Sequence, residues 1–344
     1  MNVHKLSYSV FSAAGIIILI LDGYTALAGA SAGIDLCIKT VIPSLFPFLF
    51  LCSVLTSALW GESCALLKSV ANTLGLPQGG ESILIPAILG GYPAGAQAIA
   101  DAYHEKRLSK SDAMHLLSFC NNAGPAFLFG MLVFQFPNAT YVWALWIIQL
   151  LSVFITGLIY YRPASNLVNL PPRNYSVSKA LTQTVKTVSF ICGWVVLFQI
   201  LTAFLTRWFL WYFPKPVQVI ITGLLELSSG CCILTGIESV SLRFLVCSIL
   251  LSFGGLCVAM QTSSVIGDIP LTPYLTGKLT QVLVTVPMTL LYLTAGWITP
   301  AMISSFILVF LILRKKDVDF CKHPMYNKTI TIGRKHNHAV SQKN

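Results

Sequence analysis

Leu84-Ile85-Pro86-Ala87-Ile88-Leu89-Gly90-Gly91-Tyr92-Pro93-Ala94-Gly95-Ala96 is the stretch whose reading decides the fold. It is apolar enough for a bilayer interior, yet it carries two prolines and three glycines. Each of these loosens an intrahelical ladder. Lipid tolerates broken backbone only where protein or a polar cavity satisfies the freed groups. The stretch is therefore expected to be a broken element that faces a site or gate.

The surrounding composition agrees. Of the 344 residues 55% are hydrophobic and 10% charged, against roughly 25% charged in a soluble domain. The mean hydropathy is +0.75. These values define an all-α polytopic membrane protein with the lipid bilayer as its solvent. The net charge of +10 does not point to nucleic acid, because the Lys and Arg sit in loops and in the tail after Leu313, as cytoplasmic flanks do. No cleaved signal peptide is expected; residues 10–29 read as a first span. The ten cysteines are scattered through apolar segments without a CxxC pair and read as small buried hydrophobes.

Further spans are expected over residues 34–60 (interrupted by Pro43 and Pro47), 141–161, 187–205, 281–297 and 301–313, for about eight in all. Residues 61–81 read as a loop. Residues 114–136 are apolar but hold Ser118, Asn121, Asn122, Gly124 and Pro125. Residues 217–237 contain Glu226-Leu227-Ser228-Ser229-Gly230, and 242–266 contain Gln261-Thr262-Ser263-Ser264. The polar connector 162–186 divides a first membrane half, 1–161, from a second, 187–313. The basic tail 314–344 follows and is expected in the cytoplasm.

Two echoes link the halves. Lys39-Thr40-Val41 returns as Lys186-Thr187-Val188, and Leu116-Leu117-Ser118-Phe119 returns as Leu250-Leu251-Ser252-Phe253, in the same order. A duplication with broken segments in matching places is the main sequence pointer to a transporter core. The repeats would cover about residues 34–136 and 187–266. If 82–100 and 217–237 both enter the bilayer and return, all of the 22 Lys and Arg except Lys39, Arg207, Lys215 and Arg243 fall on the cytoplasmic face, Lys278 included. If both cross fully, Lys106, Arg107, Lys110, Arg162, Arg173, Lys179 and Lys186 move outside. The positive-inside tendency favours two re-entrant hairpins in an inverted repeat.

Three motifs suggest a family. Ile42-Pro43-Ser44-Leu45-Phe46-Pro47-Phe48, Gly90-Gly91-Tyr92-Pro93-Ala94-Gly95-Ala96 and Ser118-Phe119-Cys120-Asn121-Asn122-Ala123-Gly124-Pro125 together resemble the sporulation integral membrane protein YlbJ family. That family falls in the wider nucleoside-recognition Gate-domain group, seen also in concentrative nucleoside transporters. The resemblance covers roughly residues 30 to 280. It implies a bacterial cell membrane and a role in spore cortex formation, without naming a substrate.

The candidate site residues each carry two readings. Gly90, Gly91 and the neighbouring Tyr92 can form a re-entrant tip that offers backbone to a solute, or simply pack helices closely. Asn121 and Asn122 can bind solute or tie to the hairpin backbone, since an unpaired amide at mid-span is costly. Glu226 is an intramembrane carboxylate, hence a functional hypothesis by default; it can couple a proton or sodium ion, or be hydrogen-bonded structure. Ser228, Ser229, Gln261, Ser263 and Ser264 can complete a polar pocket or satisfy nearby backbone. No metal spacing, cofactor motif or catalytic constellation is present in the sequence, so no enzyme is expected.

The expected function is passage of a small polar solute or ion through a midplane site. Two alternatives stay open, a vegetative nucleoside-type solute transporter and a non-transporting membrane scaffold. Partners consistent with the sequence are the solute or its coupling ion, a second copy of the chain, or other sporulation membrane proteins.

Overall fold

The computed structural model describes residues 3–58, 65–77, 80–163 and 176–296. The last expected span, 301–313, and the tail lie outside the described residues, as does the middle of the 162–186 connector. Contacts divide the chain into Met1–Thr294 and Ala295–Asn344, and of the latter only Ala295 and Gly296 are described.

All regular structure among the described residues is helical. The first half holds α1 (Val3–Leu21), α2 (Gly23–Leu36), α3 (Ile42–Ala58), α4 (Ala65–Leu74), α5 (Ala94–His104), α6 (Lys110–Leu117), α7 (Pro125–Met131) and α8 (Ala139–Ile159). The second holds α9 (Val177–Trp208), α10 (Lys215–Leu225), α11 (Leu227–Cys232), α12 (Val240–Phe253), α13 (Gly255–Ile266) and α14 (Thr272–Ala295). Five runs are long and apolar enough to cross a membrane: Gly23–Thr56, Ala139–Ile159, Val177–Trp208, Val240–Ile266 and Thr272–Ala295. Leu51, Leu55, Phe190, Leu197, Leu201 and Leu283 on these runs stay exposed, as side chains facing hydrocarbon do. The chain is a multi-pass membrane protein.

Several boundaries differ from the expectation. Residues 10–29 do not form one helix, because Asp22 interrupts them. Its carboxylate accepts from Thr25 N at 3.3 Å, capping α2, and pairs with Arg207 Nε at 3.2 Å. Helix α2 instead continues through a π-helical turn, Cys37–Val41, into α3. That wider turn lies just ahead of Pro43, and Ser44 Oγ donates to Thr40 O at 2.6 Å, so the ladder is repaired locally and the prolines do not end the span. The loop expected at 61–81 contains α4. The connector is shorter than expected, since 177–186 already belong to α9. The span expected to begin at Gln281 begins at Thr272, and so takes in Lys278, which is buried and not on a flank.

The two halves share an order of elements: a long helix, a broken pair, a helix broken in its middle, and a long helix. Hairpin 1 comprises a short 3-10 turn (Glu81–Ile83), a π-helical turn (Pro86–Gly90) and α5. Hairpin 2 comprises α10, α11 and the 3-10 turn Leu234–Gly236. The first broken helix is α6–α7, opened over residues 118–124, and the second is α12–α13, bent at Gly254 (φ +84°).

Hairpin 2 closes on itself. A Cβ at Gly230 would collide with the backbone of Gly223, and one at Gly236 would lie 3.8 Å from Lys215 Cβ. Its two ends therefore meet at the same end of the element. In hairpin 1, Ile83 and Leu84 share a core with Ala96, Ile99, Ala102 and Leu108, and with Leu116, Phe119 and Tyr274. Small residues also set the seam between α2 of the first half and α9 of the second. Gly29 and Gly33 face Ile200 and Val196, and a Cβ at Gly33 would lie 2.8 Å from Val196 Cα. This is the small-xxx-small approach by which membrane helices gain contact without a hydrophobic driving force. Behind it α3 and α9 bury Leu45, Leu49, Val188, Ile191 and Val195 together.

Candidate functional site

The site is built around the two hairpin turns. In hairpin 1 the turn is Gly91-Tyr92-Pro93. Gly91 has φ +76°, a backbone state that side chains with a Cβ rarely adopt, and Ala94 N donates to Gly91 O at 2.8 Å. In hairpin 2 the turn is Glu226, whose extended backbone (φ −139°, ψ 113°) separates α10 from α11. Gly91, Tyr92, Glu226, Ser228 and Gln261 converge on one small cavity of ≈ 40 Å³, which Thr40, Ser44 and Gly124 also line. That is room for a few waters or a small ion. The sequence-based candidates Gly91, Tyr92, Glu226, Ser228 and Gln261 thus come together from three separate stretches of chain.

A second hollow lies in line with the first. A cleft of ≈ 410 Å³ is walled by Leu49 to Thr56 of α3, Pro86 and Ala94 to Asp101 of hairpin 1, and Ser176 to Thr187 of α9. Along α3 the inner cavity is reached at Thr40 to Leu45, and along α9 at Ile191 and Val195. Moving from cleft to cavity therefore means moving along both helices past the turn of hairpin 1.

Glu226 is 2% exposed. Its carboxylate accepts from Ser228 N at 3.0 Å and Ser229 N at 2.6 Å, and Ser229 Oγ also donates to it. It is the N-cap of α11, so its carboxyl oxygens satisfy backbone donors that would otherwise be orphaned. Of its two sequence readings, hydrogen-bonded structure describes these contacts, and Glu226 also lines the cavity.

Asn121 ties the two halves and hairpin 1 together. Its Nδ2 donates to Thr262 Oγ1 at 2.9 Å, and its Oδ1 accepts from Ala96 N at 3.4 Å. Asn122 turns the other way: Nδ2 donates to Phe119 O at 2.6 Å, and Oδ1 accepts from Lys278 Nζ at 2.8 Å. Gly90 is buried and packs against Ala94. Ser229 serves the cap. Ser263 and Ser264 are exposed and do not reach the cavity; Ser264 Oγ accepts from Trp194 Nε1 instead.

Sequence reasoning missed Lys278. It is 1% exposed, donates also to Gln281 Oε1 at 2.8 Å, and stands 5.0 Å from the Tyr92 ring centroid and 5.8 Å from that of Tyr274. Among the described residues no carboxylate stands within ion-pair distance of it. Two amide carbonyls accept from its amine, and two aromatic rings stand beside it in place of water. Gln281 in turn reaches Ser152 Oγ at 3.4 Å, and Gln149 donates to Ala123 O at 2.9 Å. The available signal was the spacing Tyr274, Lys278, Gln281, which puts all three on one helix face.

Tyr92 joins the two clusters. Its ring faces Lys278, its backbone region lines the cavity, and its hydroxyl donates to Leu251 O at 3.1 Å, just before the bend of the second broken helix.

Two broken hairpins and two interrupted helices that meet at one small cavity inside an all-helical membrane protein define the class: a multi-pass α-helical membrane protein with broken elements in its interior. Among proteins of known name, the chain is similar to the sporulation integral membrane protein YlbJ of Bacillus subtilis (strain 168), at 23% identity over 300 residues, covering 73% of this chain and 74% of that protein. The likeness read in the three motifs is thereby supported across most of the chain. No family model and no solved structure matches it.

Proposed function

We propose that this chain is a membrane protein of sporulation that passes a small polar solute or ion across the bilayer for spore cortex or envelope formation. The cleft and cavity, lying in line on either side of the hairpin 1 turn, carry this reading. The repeated element order supports an inverted repeat, with halves at about 1–161 and 187–313. Alternating access then follows when one half rocks against the other and Tyr92 withdraws from the path. The Lys and Arg distribution supports a cytoplasmic connector, and hence a cleft open to the cytoplasm. The Gate-domain affinity and the sporulation role come from the resemblance to YlbJ. The mechanism needs no chemical step on the solute, so the protein acts as a conduit and not as an enzyme.

Single cysteines at Thr187, in the cleft, and Thr40, in the inner cavity, test this in vesicles of known orientation. A membrane-impermeant thiol reagent should modify Thr187→Cys from the connector side, and Thr40→Cys from the opposite side in the alternate state. If Thr40→Cys reacts from neither side under any condition, there is no conduit. In a B. subtilis strain lacking the relative, expression of this chain should restore spores with a normal cortex.

A further inference from the structure

The cleft on the connector side has a lining that selects among solutes. Its ≈ 410 Å³ falls within the roughly 300–1,000 Å³ of small-molecule sites. Among the described residues no aromatic ring lines it, so none of these residues offers a planar heterocycle a face to stack on. Hydroxyl and amide groups form the polar wall instead, from Ser53, Thr56, Gln97, Gln183 and Thr187.

Thr56 marks the place. It is 7% exposed, and its hydroxyl has no hydrogen-bond partner among the described residues. A hydroxyl in a membrane helix ordinarily bonds back to its own backbone, as Thr182 and Thr184 do across the cleft. A buried hydroxyl left without a partner is destabilising, and a turn of the Thr56 side chain toward the cleft it lines would bring that hydroxyl to a solute. On the facing wall Gln97 Nε2 donates to Asp101 Oδ1 at 2.9 Å, which fixes both side chains in place.

Both signs of charge border the cleft, with Asp101 on hairpin 1 and Lys179 and Lys186 on α9. The two lysines are exposed and well hydrated. No single-sign field is built there, in contrast to sites for phosphate or carboxylate groups, which gather several cations around one point.

We infer that this cleft is the first binding site for the solute, and that the solute is a small, non-aromatic molecule, uncharged overall and rich in hydroxyl or amide groups. The inference rests on the conduit reading and adds the class of passenger. The position fits: a solute held between Gln97 and Thr187 sits directly before the turn that closes the inner cavity.

Scintillation-proximity binding to the purified full chain tests it, with radiolabelled glucose, myo-inositol and glutamine as probes and uridine as the aromatic comparison. At least one of the three should bind saturably and uridine should not. Gln97→Leu and Thr187→Val should each weaken that binding about tenfold, the equivalent of one lost hydrogen bond, with the melting temperature in detergent unchanged, while Thr187→Ser keeps the binding. Saturable uridine binding that Gln97→Leu abolishes would assign the cleft to nucleosides and overturn the inference. Absence of saturable binding by all three polar probes would overturn it as well. The accessibility of Thr40→Cys is measured separately, so failure here leaves the conduit standing, and failure there leaves the binding result intact.

Discussion

Hairpin 1 and hairpin 2 turn at the same cavity by different means. The second is self-sufficient: Glu226 caps the helix that follows it, and Gly223 and Gly230 bring its two legs into backbone contact. The first depends on others. Its Tyr92 is held by Leu251 O of the second half and packs under Lys278 Nζ, and Asn121 accepts from its Ala96 N. One turn carries its own restraints and the other borrows them, which makes hairpin 1 the part that can be released by events elsewhere in the protein.

The outer ends are stitched crosswise. Tyr103, at the close of hairpin 1, donates to Asp268 Oδ2 at 3.0 Å in the loop after α13. Arg243, following hairpin 2, donates to Ile237 O and, at 2.8 Å, to Gln135 O after α7. Each hairpin is thus tied to the segment that follows the broken helix of the other half.

Substitutions can break this contrast in order of severity. Gly230→Leu should do most harm, because the side chain must displace the Gly223 backbone; a loss of about 4 kcal/mol or more, or failure to accumulate in the membrane, is expected, read by thermal denaturation in detergent. Glu226→Ala leaves two buried N–H groups without an acceptor and should lower stability by roughly 2 kcal/mol, whereas Glu226→Gln keeps one acceptor oxygen and should lose about half as much. If Glu226→Ala leaves the melting temperature unchanged, the second turn is not self-capped. Tyr92→Phe should cost about 1 kcal/mol while raising hydrogen exchange in residues 86–100 and leaving 215–236 untouched; equal changes in both would erase the distinction.

The smallest effect belongs to the outer stitch. The Tyr103 hydroxyl, with Lys110 adding to it, holds the Asp268 carboxyl below the ordinary carboxylate range. A carboxylate with a depressed folded-state pKa stabilises above its unfolded value, and that contribution is lost as pH falls through the folded one. Acidification below about pH 4 should therefore loosen the 267–271 loop. Asp268→Asn should show the looser loop at neutral pH and no further change on acidification, measured by hydrogen exchange.

The broken elements were legible in the sequence because proline and glycine act through the backbone, whatever the rest of the fold does. Pro86, Gly91, Pro93, Gly124 and Pro125 mark the first half correctly for that reason. The second half was harder. Its bend is a single glycine, Gly254, inside an apolar run, and Glu226 kept both a functional and a hydrogen-bonded reading because capping cannot be seen until the helix end is placed. The GASAG seam at residues 29–33 reads as ordinary apolar sequence until a partner helix is laid against it. Lys278 was obscured by position, since a lysine near the start of a helix resembles a flank, and its burial arises from Asn122, some 156 positions earlier in the chain.

That separation bears on how the protein is made. A lysine within a hydrophobic segment raises the cost of inserting it, and the groups that meet this one, Asn122 and the Tyr92 ring, are synthesised well before α14. Insertion of α14 should therefore be easier once the amino-terminal half offers that carbonyl and that ring.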